Sequence, residues 1–135
     1  MASIRKEISL RASPAAVWDV VRDIGAVHTR FAPGFVVDVV LEDGARVVTF
    51  GNGMVAREVI VDLDETARRL VYSAKSERLA HHNASFQVQP SEGGGSRLIW
   101  QADVLPHEAA ATVSAMMDAG ADAAKATLDA LAMVA

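Results

Sequence analysis

The sequence has no cysteine among its 135 residues. Disulfides, thiolate nucleophiles and thiolate metal sites are therefore excluded, and nothing argues for an oxidising compartment. Lysine and arginine never occur more than two in a row, and the formal net charge is -4. The chain thus lacks the clustered positive charge that binding to phosphates or anionic lipid requires, and we do not expect nucleic acid as a partner.

Long uninterrupted apolar runs are also missing. The alanine-rich C-terminal part carries charged residues at positions 118, 122, 125 and 129, whereas a membrane-spanning helix needs about 20 apolar residues in a row. Arg5 and Lys6 near the start are not followed by an apolar segment, so no secretory signal is expected. These absences predict a cytoplasmic protein without a membrane span.

The overall composition, with 51 % hydrophobic and 22 % charged residues, is that of an ordinary globular protein. The length is sufficient to bury one core. The sequence contains no repeat, linker or low-complexity segment. We therefore expect residues 1–135 to form a single domain.

The first third of the chain changes its hydrophobic period twice. Residues 4–11 alternate apolar and polar side chains, apart from Lys6, which predicts a half-buried strand. Ser13 is a good N-cap and Pro14 suits the first helical position, so a helix is predicted over 14–24. A second short helical turn is predicted within 25–32, and Pro33-Gly34 must end it because proline disfavours helix in the residue before it.

The middle of the chain predicts six further strands, over 35–41, 45–50, 54–63, 69–75, 79–89 and 97–105. Asp43-Gly44 between the first two is a strong hairpin signal. From 107 to 133 the period is helical, and one apolar stripe runs along this helix. Its members are Val113, Met117, Gly120, Ala124, Leu128 and Leu131.

This order of elements predicts an α+β fold in which a long C-terminal helix covers the apolar face of one antiparallel, seven-stranded sheet. The middle of the helix is unusual, since Gly120 is surrounded by alanines although glycine costs about 1 kcal/mol there relative to alanine. Small residues in a buried stripe either let the helix approach the sheet closely or leave space for a ligand. The sequence therefore raises the question of a cavity without deciding it.

Three short segments carry a resemblance to a known superfamily. They are Ser-Pro-Ala-Ala-Val-Trp at 13–18, Arg-Leu-Val-Tyr at 69–72 and Gly-Ser-Arg-Leu-Ile-Trp at 95–100. In this order and spacing the chain resembles the START-like, Bet v 1-like and polyketide-cyclase-like (SRPBCC) superfamily over its whole length. The resemblance implies the helix-grip fold, with two short helices after the first strand.

Further segments look similar to a bacterial branch of this superfamily whose members are mostly uncharacterised. They are His-Thr-Arg-Phe-Ala-Pro-Gly-Phe at 28–35, His-His-Asn-Ala-Ser-Phe at 81–86 and Trp-Gln-Ala-Asp-Val-Leu-Pro at 100–106. The superfamily includes lipid carriers, hormone receptors, aromatase/cyclases and co-chaperone modules, and no motif here selects one of them. Such a resemblance indicates fold more firmly than activity.

Two hypotheses of function lead, and a protein-interaction module is the third. The first is a protein that binds an apolar or aromatic, lipid- or polyketide-like small molecule between the sheet and the C-terminal helix. The second is an enzyme resembling polyketide cyclases, aromatases or dehydratases, with His82 as the candidate acid/base. His82 shares strand parity with Ala84 and Phe86, so it faces inward as a satisfied core histidine, a ligand contact or a catalytic group.

One of Arg57 and Glu58 is also expected to face the cavity, because they are neighbours on a strand and point to opposite sides. An inward charge there would need a partner and could bind a polar group of a ligand. His28, in the loop before Pro33, is placed near the cavity mouth by the helix-grip resemblance. The other candidate lining residues are the large apolar side chains and the helix glycine: Phe31, Met54, Tyr72, Phe86, Trp100, Met116, Met117 and Gly120.

No cofactor and no metal are expected. The adjacent His81 and His82 point to opposite faces of a strand, and His107-Glu108 is not followed by a second ligand because position 111 is alanine. The expected partner is an apolar small molecule, with the protein as a monomer or homodimer.

Overall fold

The computed structural model describes residues 1–132 and confirms the predicted α+β, helix-grip architecture. A single antiparallel sheet has the strand order β1-β7-β6-β5-β4-β3-β2. The strands are β1 (Ala2–Leu10), β2 (Val36–Glu42), β3 (Ala45–Phe50), β4 (Val55–Asp64), β5 (Arg69–Lys75), β6 (His81–Pro90) and β7 (Ser96–Leu105). Strands β2 to β7 form a meander, and the first strand closes the sheet beside the last.

Helix α1 (Pro14–Val21) begins as the sequence predicts, because the Ser13 hydroxyl accepts a hydrogen bond of 3.2 Å from the Ala16 N–H. It ends three residues earlier than predicted. The second helical segment is a π-helical turn (Val27–Phe31). Both segments lie between the first two strands in sequence and cover one end of the sheet.

Lys6, the polar exception in the alternating pattern of β1, is explained by its partners. It pairs in register with Trp100 and therefore faces the inner side of the sheet. Its ammonium group lies 2.8 Å from Asp118 Oδ1 and 2.9 Å from Ser114 Oγ, both on the C-terminal helix. The lysine thus links β1 to the C-terminal helix by an ion pair and a hydrogen bond.

The C-terminal helix α2 (Ala110–Leu131) follows a short 3-10 turn (His107–Ala109). The predicted end at Met133 lies outside the described residues. The buried members of its stripe are Met117, Gly120, Ala124 and Leu128. Leu131, predicted to belong to the stripe, is 40 % exposed.

The end of the sheet explains the exposure of Leu131. Two residues earlier, the Asp129 carboxylate accepts a hydrogen bond from the Arg11 N–H, which follows the last residue of β1. The helix has therefore reached the edge of the sheet by residue 129, and little lies beneath residue 131. None of the helices within residues 1–132 combines the length and the apolar character that a membrane span requires.

Candidate ligand-binding site

A cavity lies between α2, the π-helical turn and the inner face of strands β3 to β6. Helix α2 packs mainly against β1 and the π-helical turn, so it leaves space above the other side of the sheet. The cavity volume is about 150 Å³, and an apolar cavity of about that size can hold an aromatic ring. Residues from α1, the π-helical turn, six strands and α2 border it.

Aromatic side chains form the floor of the cavity. Phe86 and Trp100 pair directly across β6 and β7, and their stacked rings have centroids 4.8 Å apart. Tyr72 also stacks on Phe86, with ring centroids 5.9 Å apart, and Phe31 meets Phe86 edge-on at 5.2 Å. This row gives the cavity an apolar aromatic wall against which an aromatic ligand could pack.

Tyr72 adds a polar group to this floor. Its hydroxyl oxygen accepts a hydrogen bond of 3.0 Å from the Trp100 Nε1–H, which leaves the hydroxyl proton free to donate. Burial raises the pKa of Tyr72 far above its ordinary value, and the nearby Glu58 raises it further. The hydroxyl is therefore protonated at neutral pH and acts as a hydrogen-bond donor.

An ion pair is buried in the cavity wall. Arg46 on β3 and Glu58 on β4 stand directly opposite each other, with 2.8 Å between Arg46 Nε and Glu58 Oε1. The residues are only 4 % and 8 % exposed. Arg46 also donates from Nη1 to the Ile24 carbonyl at 3.3 Å, and its guanidinium lies 5.3 Å from the centre of the Tyr72 ring. These contacts hold the arginine beside the aromatic floor.

His82 continues this polar row across the sheet. Backbone pairing between β5 and β6 ends at Tyr72 and Ala84. Beyond that point the His82 Nδ1 accepts a hydrogen bond of 3.1 Å from the Ala74 N–H, and the Ser73 hydroxyl donates to the His82 carbonyl at 2.6 Å. The imidazole thus takes the place of a backbone acceptor in the ladder.

These contacts decide the protonation of His82. Since Nδ1 is an acceptor, the proton of the neutral ring is on Nε2, which has no partner among residues 1–132. Burial lowers the pKa of His82 below its ordinary value, because the charged ring loses its hydration. At neutral pH the side chain is therefore an uncharged donor.

Most of the predicted lining residues border the cavity. They are Phe31, Met54, Glu58, Tyr72, His82, Phe86, Trp100, Met116, Met117 and Gly120. The strand alternation that pointed to His82 and Phe86 thus gave their correct face. Gly120 both borders the cavity and marks a close approach, because a Cβ there would lie 2.8 Å from Phe35 Cε2.

Two predicted residues lie elsewhere. Arg57 is exposed on the outer face, where its Nε lies 2.8 Å from Glu42 Oε1. Alternation along β4 allows only one of residues 57 and 58 to face inward, and the register opposite Arg46 selects Glu58. His28 does not border the cavity either, because the π-helical turn directs Val27 and Phe31 toward it instead.

Arg46 and the Phe35–Phe50 pair were missed from the sequence. Arg46 shares strand parity with Val48 and Phe50, so a charged residue within an inward-facing set was the available signal. Phe35 and Phe50 meet edge-on with centroids 5.4 Å apart, and both border the cavity. Phe35 precedes β2 and Phe50 ends β3, so their contact depends on the register between these two strands, which no local pattern announces.

Within residues 1–132, no three histidine, aspartate or glutamate side chains come close enough together to hold a metal ion. The polar groups of the cavity instead include a buried ion pair, a phenol and a neutral imidazole. They suit hydrogen bonding to an organic ligand.

The sheet wrapped around a long helix, with a cavity between them, defines the helix-grip class of proteins. Comparison of the sequence with protein families gives the same class. A family model described as "Polyketide cyclase / dehydrase and lipid transport" matches residues 1–133. The chain belongs to this family. Among curated proteins, no sequence matches it.

Solved structures share the fold. The protein XoxI from Bacillus cereus is 18 % identical with a TM-score of 0.85, and the match covers 97 % of this chain and 99 % of that one. A protein from Thermobifida fusca is 26 % identical with a TM-score of 0.79, covering 98 % and 93 %. The di-domain ARO/CYC BexL, from the BE-7585A biosynthetic pathway, is 16 % identical with a TM-score of 0.82, covering 96 % of this chain and 47 % of that one.

Proposed function

We propose that this protein binds an apolar, aromatic small molecule of one or two rings in the cavity between the sheet and α2. The observation that carries the proposal is the stacked row of Tyr72, Phe86 and Trp100 beneath an open volume of about 150 Å³. Such a surface, with a few fixed polar groups beside it, is typical of small-molecule sites. The family description, which names both cyclases and lipid transport, is compatible with this function.

The geometry of His82 favours binding over catalysis. A general base must offer a free lone pair to the proton it removes. The lone pair of Nδ1 is used by the Ala74 N–H, and Nε2 already carries the proton. To act as a base, His82 would have to give up a hydrogen bond that holds β5 to β6. A cyclase- or dehydratase-like enzyme with His82 as acid/base is therefore the second hypothesis, and binding is the first.

Filling the cavity tests the proposal. Ala56 on β4 borders the cavity, so Ala56→Phe places a ring where the ligand would lie. Val61 on the same strand is exposed and does not line this cavity, so Val61→Phe is the matched control. Naphthalene binding is followed by the fluorescence of Trp100, against a background from Trp18.

The parent should show saturable binding of naphthalene, and Ala56→Phe should weaken it at least tenfold. Val61→Phe should bind like the parent. A parent that shows no saturable binding would refute the proposal. So would equal binding by the parent and Ala56→Phe, since the ligand would then lie outside this cavity.

A further inference from the structure

The Arg46–Glu58 ion pair borders the cavity, where it would contact a polar group of a bound ligand. We infer that the pair accepts a neutral group that both donates and accepts hydrogen bonds, such as an amide, phenol or enol, and rejects a carboxylate. This rests on the proposed function, because it concerns the ligand of the same cavity.

In each residue of the pair, one polar side-chain atom makes no hydrogen bond within residues 1–132. Arg46 employs Nε toward Glu58 Oε1 and Nη1 toward the Ile24 carbonyl, so Nη2 has no partner among residues 1–132. Glu58 Oε2 likewise has none there. Within the same residues, His28 Nδ1 is the sole fully buried side-chain nitrogen or oxygen that lacks a hydrogen bond. Nη2 and Oε2 have no partner either, so they are not fully buried and are accessible from open space.

These two unused atoms are chemically opposite. Nη2 can only donate a hydrogen bond, and Oε2 of an ionised carboxylate can only accept one. They belong to residues that stand directly opposite each other on β3 and β4, and both residues border the cavity. A ligand group with an acceptor and a donor side by side, such as a primary amide, would satisfy both.

A carboxylate on the ligand would add a negative charge for which the ion pair has no compensating positive charge. Glu58 already neutralises Arg46, so an added anion would leave an uncompensated negative charge in a largely apolar cavity. It would also place two carboxylates close together and leave Glu58 Oε2 without a donor. The Tyr72 hydroxyl can donate to either kind of ligand, so it does not discriminate between them.

Two ligands of nearly the same shape test this inference. 2-Naphthamide is neutral and both donates and accepts hydrogen bonds, whereas 2-naphthoate is ionised at neutral pH because a carboxylic acid titrates at about pH 4. The parent should bind the amide at least tenfold more tightly than the carboxylate. Equal binding of the two, or tighter binding of 2-naphthoate, would overturn the inference.

Glu58→Gln should shift this preference. The variant keeps a hydrogen-bonding side chain but leaves Arg46 with an uncompensated positive charge, so the ratio of affinities should move at least tenfold toward 2-naphthoate. The control is Glu42→Gln, which makes the same chemical change in the exposed pair with Arg57 and should leave the ratio as in the parent. An unchanged ratio in folded Glu58→Gln would count against the inference.

Two further measurements separate the possible failures. Circular dichroism shows whether Glu58→Gln is folded, and if it is not, the ratio of affinities in the parent decides. Naphthalene has no polar group and reports on the cavity alone. If naphthalene binds but the parent does not prefer the amide, the selectivity is wrong and the proposed function stands. If naphthalene, amide and carboxylate all fail to bind, both are wrong.

Discussion

Replacing Gly120 by alanine tests how closely α2 approaches the cavity. A Cβ at this position would lie 2.8 Å from Phe35 Cε2 and 3.0 Å from Trp100 Cζ3. Both distances are shorter than ordinary van der Waals contact between carbons, which is about 3.5 to 4.0 Å. At least one ring must therefore move. Phe35 is only partly buried, so we expect it to shift into the cavity while Trp100, held by its hydrogen bond to Tyr72, stays in place.

Two effects of opposite sign set the magnitude. Alanine is favoured over glycine in a helix interior by about 1 kcal/mol, whereas an extra carbon in a packed site costs about 1 to 3 kcal/mol. The free energy of unfolding should therefore fall by about 0 to 2 kcal/mol in Gly120→Ala. Naphthalene affinity should fall as well, because the displaced Phe35 ring occupies part of the cavity.

Urea denaturation followed by circular dichroism measures the change in stability. Ala119→Gly is the matched control, because residue 119 is the exposed neighbour on the same helix. It should lose about 1 kcal/mol through helix propensity alone and bind naphthalene like the parent. If Gly120→Ala were instead about 1 kcal/mol more stable than the parent with unchanged binding, the close approach of α2 to these rings would be refuted.

Two further predictions concern the polar groups of the cavity. Tyr72→Phe removes the acceptor of the buried Trp100 Nε1–H, so the free energy of unfolding should fall by about 1 to 3 kcal/mol; a urea midpoint equal to that of the parent would contradict the hydrogen bond. The pKa of His82 is lower in the folded than in the unfolded chain, so its neutral form contributes stability above about pH 6.5 that is lost as the pH falls toward the folded pKa. The free energy of unfolding of the parent should therefore decline as the pH falls below about 6.5. In His82→Asn, whose amide oxygen can still accept a hydrogen bond from the Ala74 N–H, it should decline less. If urea titrations show the same decline in both proteins, His82 is not responsible.

The sequence alone was enough to predict the elements of the fold. Hydrophobic period distinguishes strand from helix along a continuous segment, and β3 and β5 have the predicted bounds. Strand parity also placed Phe86 and His82 on the inner face, because alternation is a property of each strand by itself. The polar N-cap and the following proline predicted where α1 begins.

Other features were decided by how the elements meet. Period and parity show which face of a strand a residue occupies, but they do not show which residue stands opposite on the next strand. The choice of Glu58 over Arg57, and its pairing with Arg46, follow from the β3–β4 register. The exposure of Leu131 likewise depends on where the sheet ends beneath α2.

The cavity itself is a product of the tertiary structure. The small residues of α2 were compatible with either close packing or open space, and the structure combines the two. Gly120 approaches Phe35 and Trp100 closely, while the helix packs against β1 and leaves space above β3 to β6. The sequence determined which side chains could line a cavity, but the position of one rigid helix over a twisted sheet decided that there is one. That position depends on the sum of many distant contacts, which no local pattern contains.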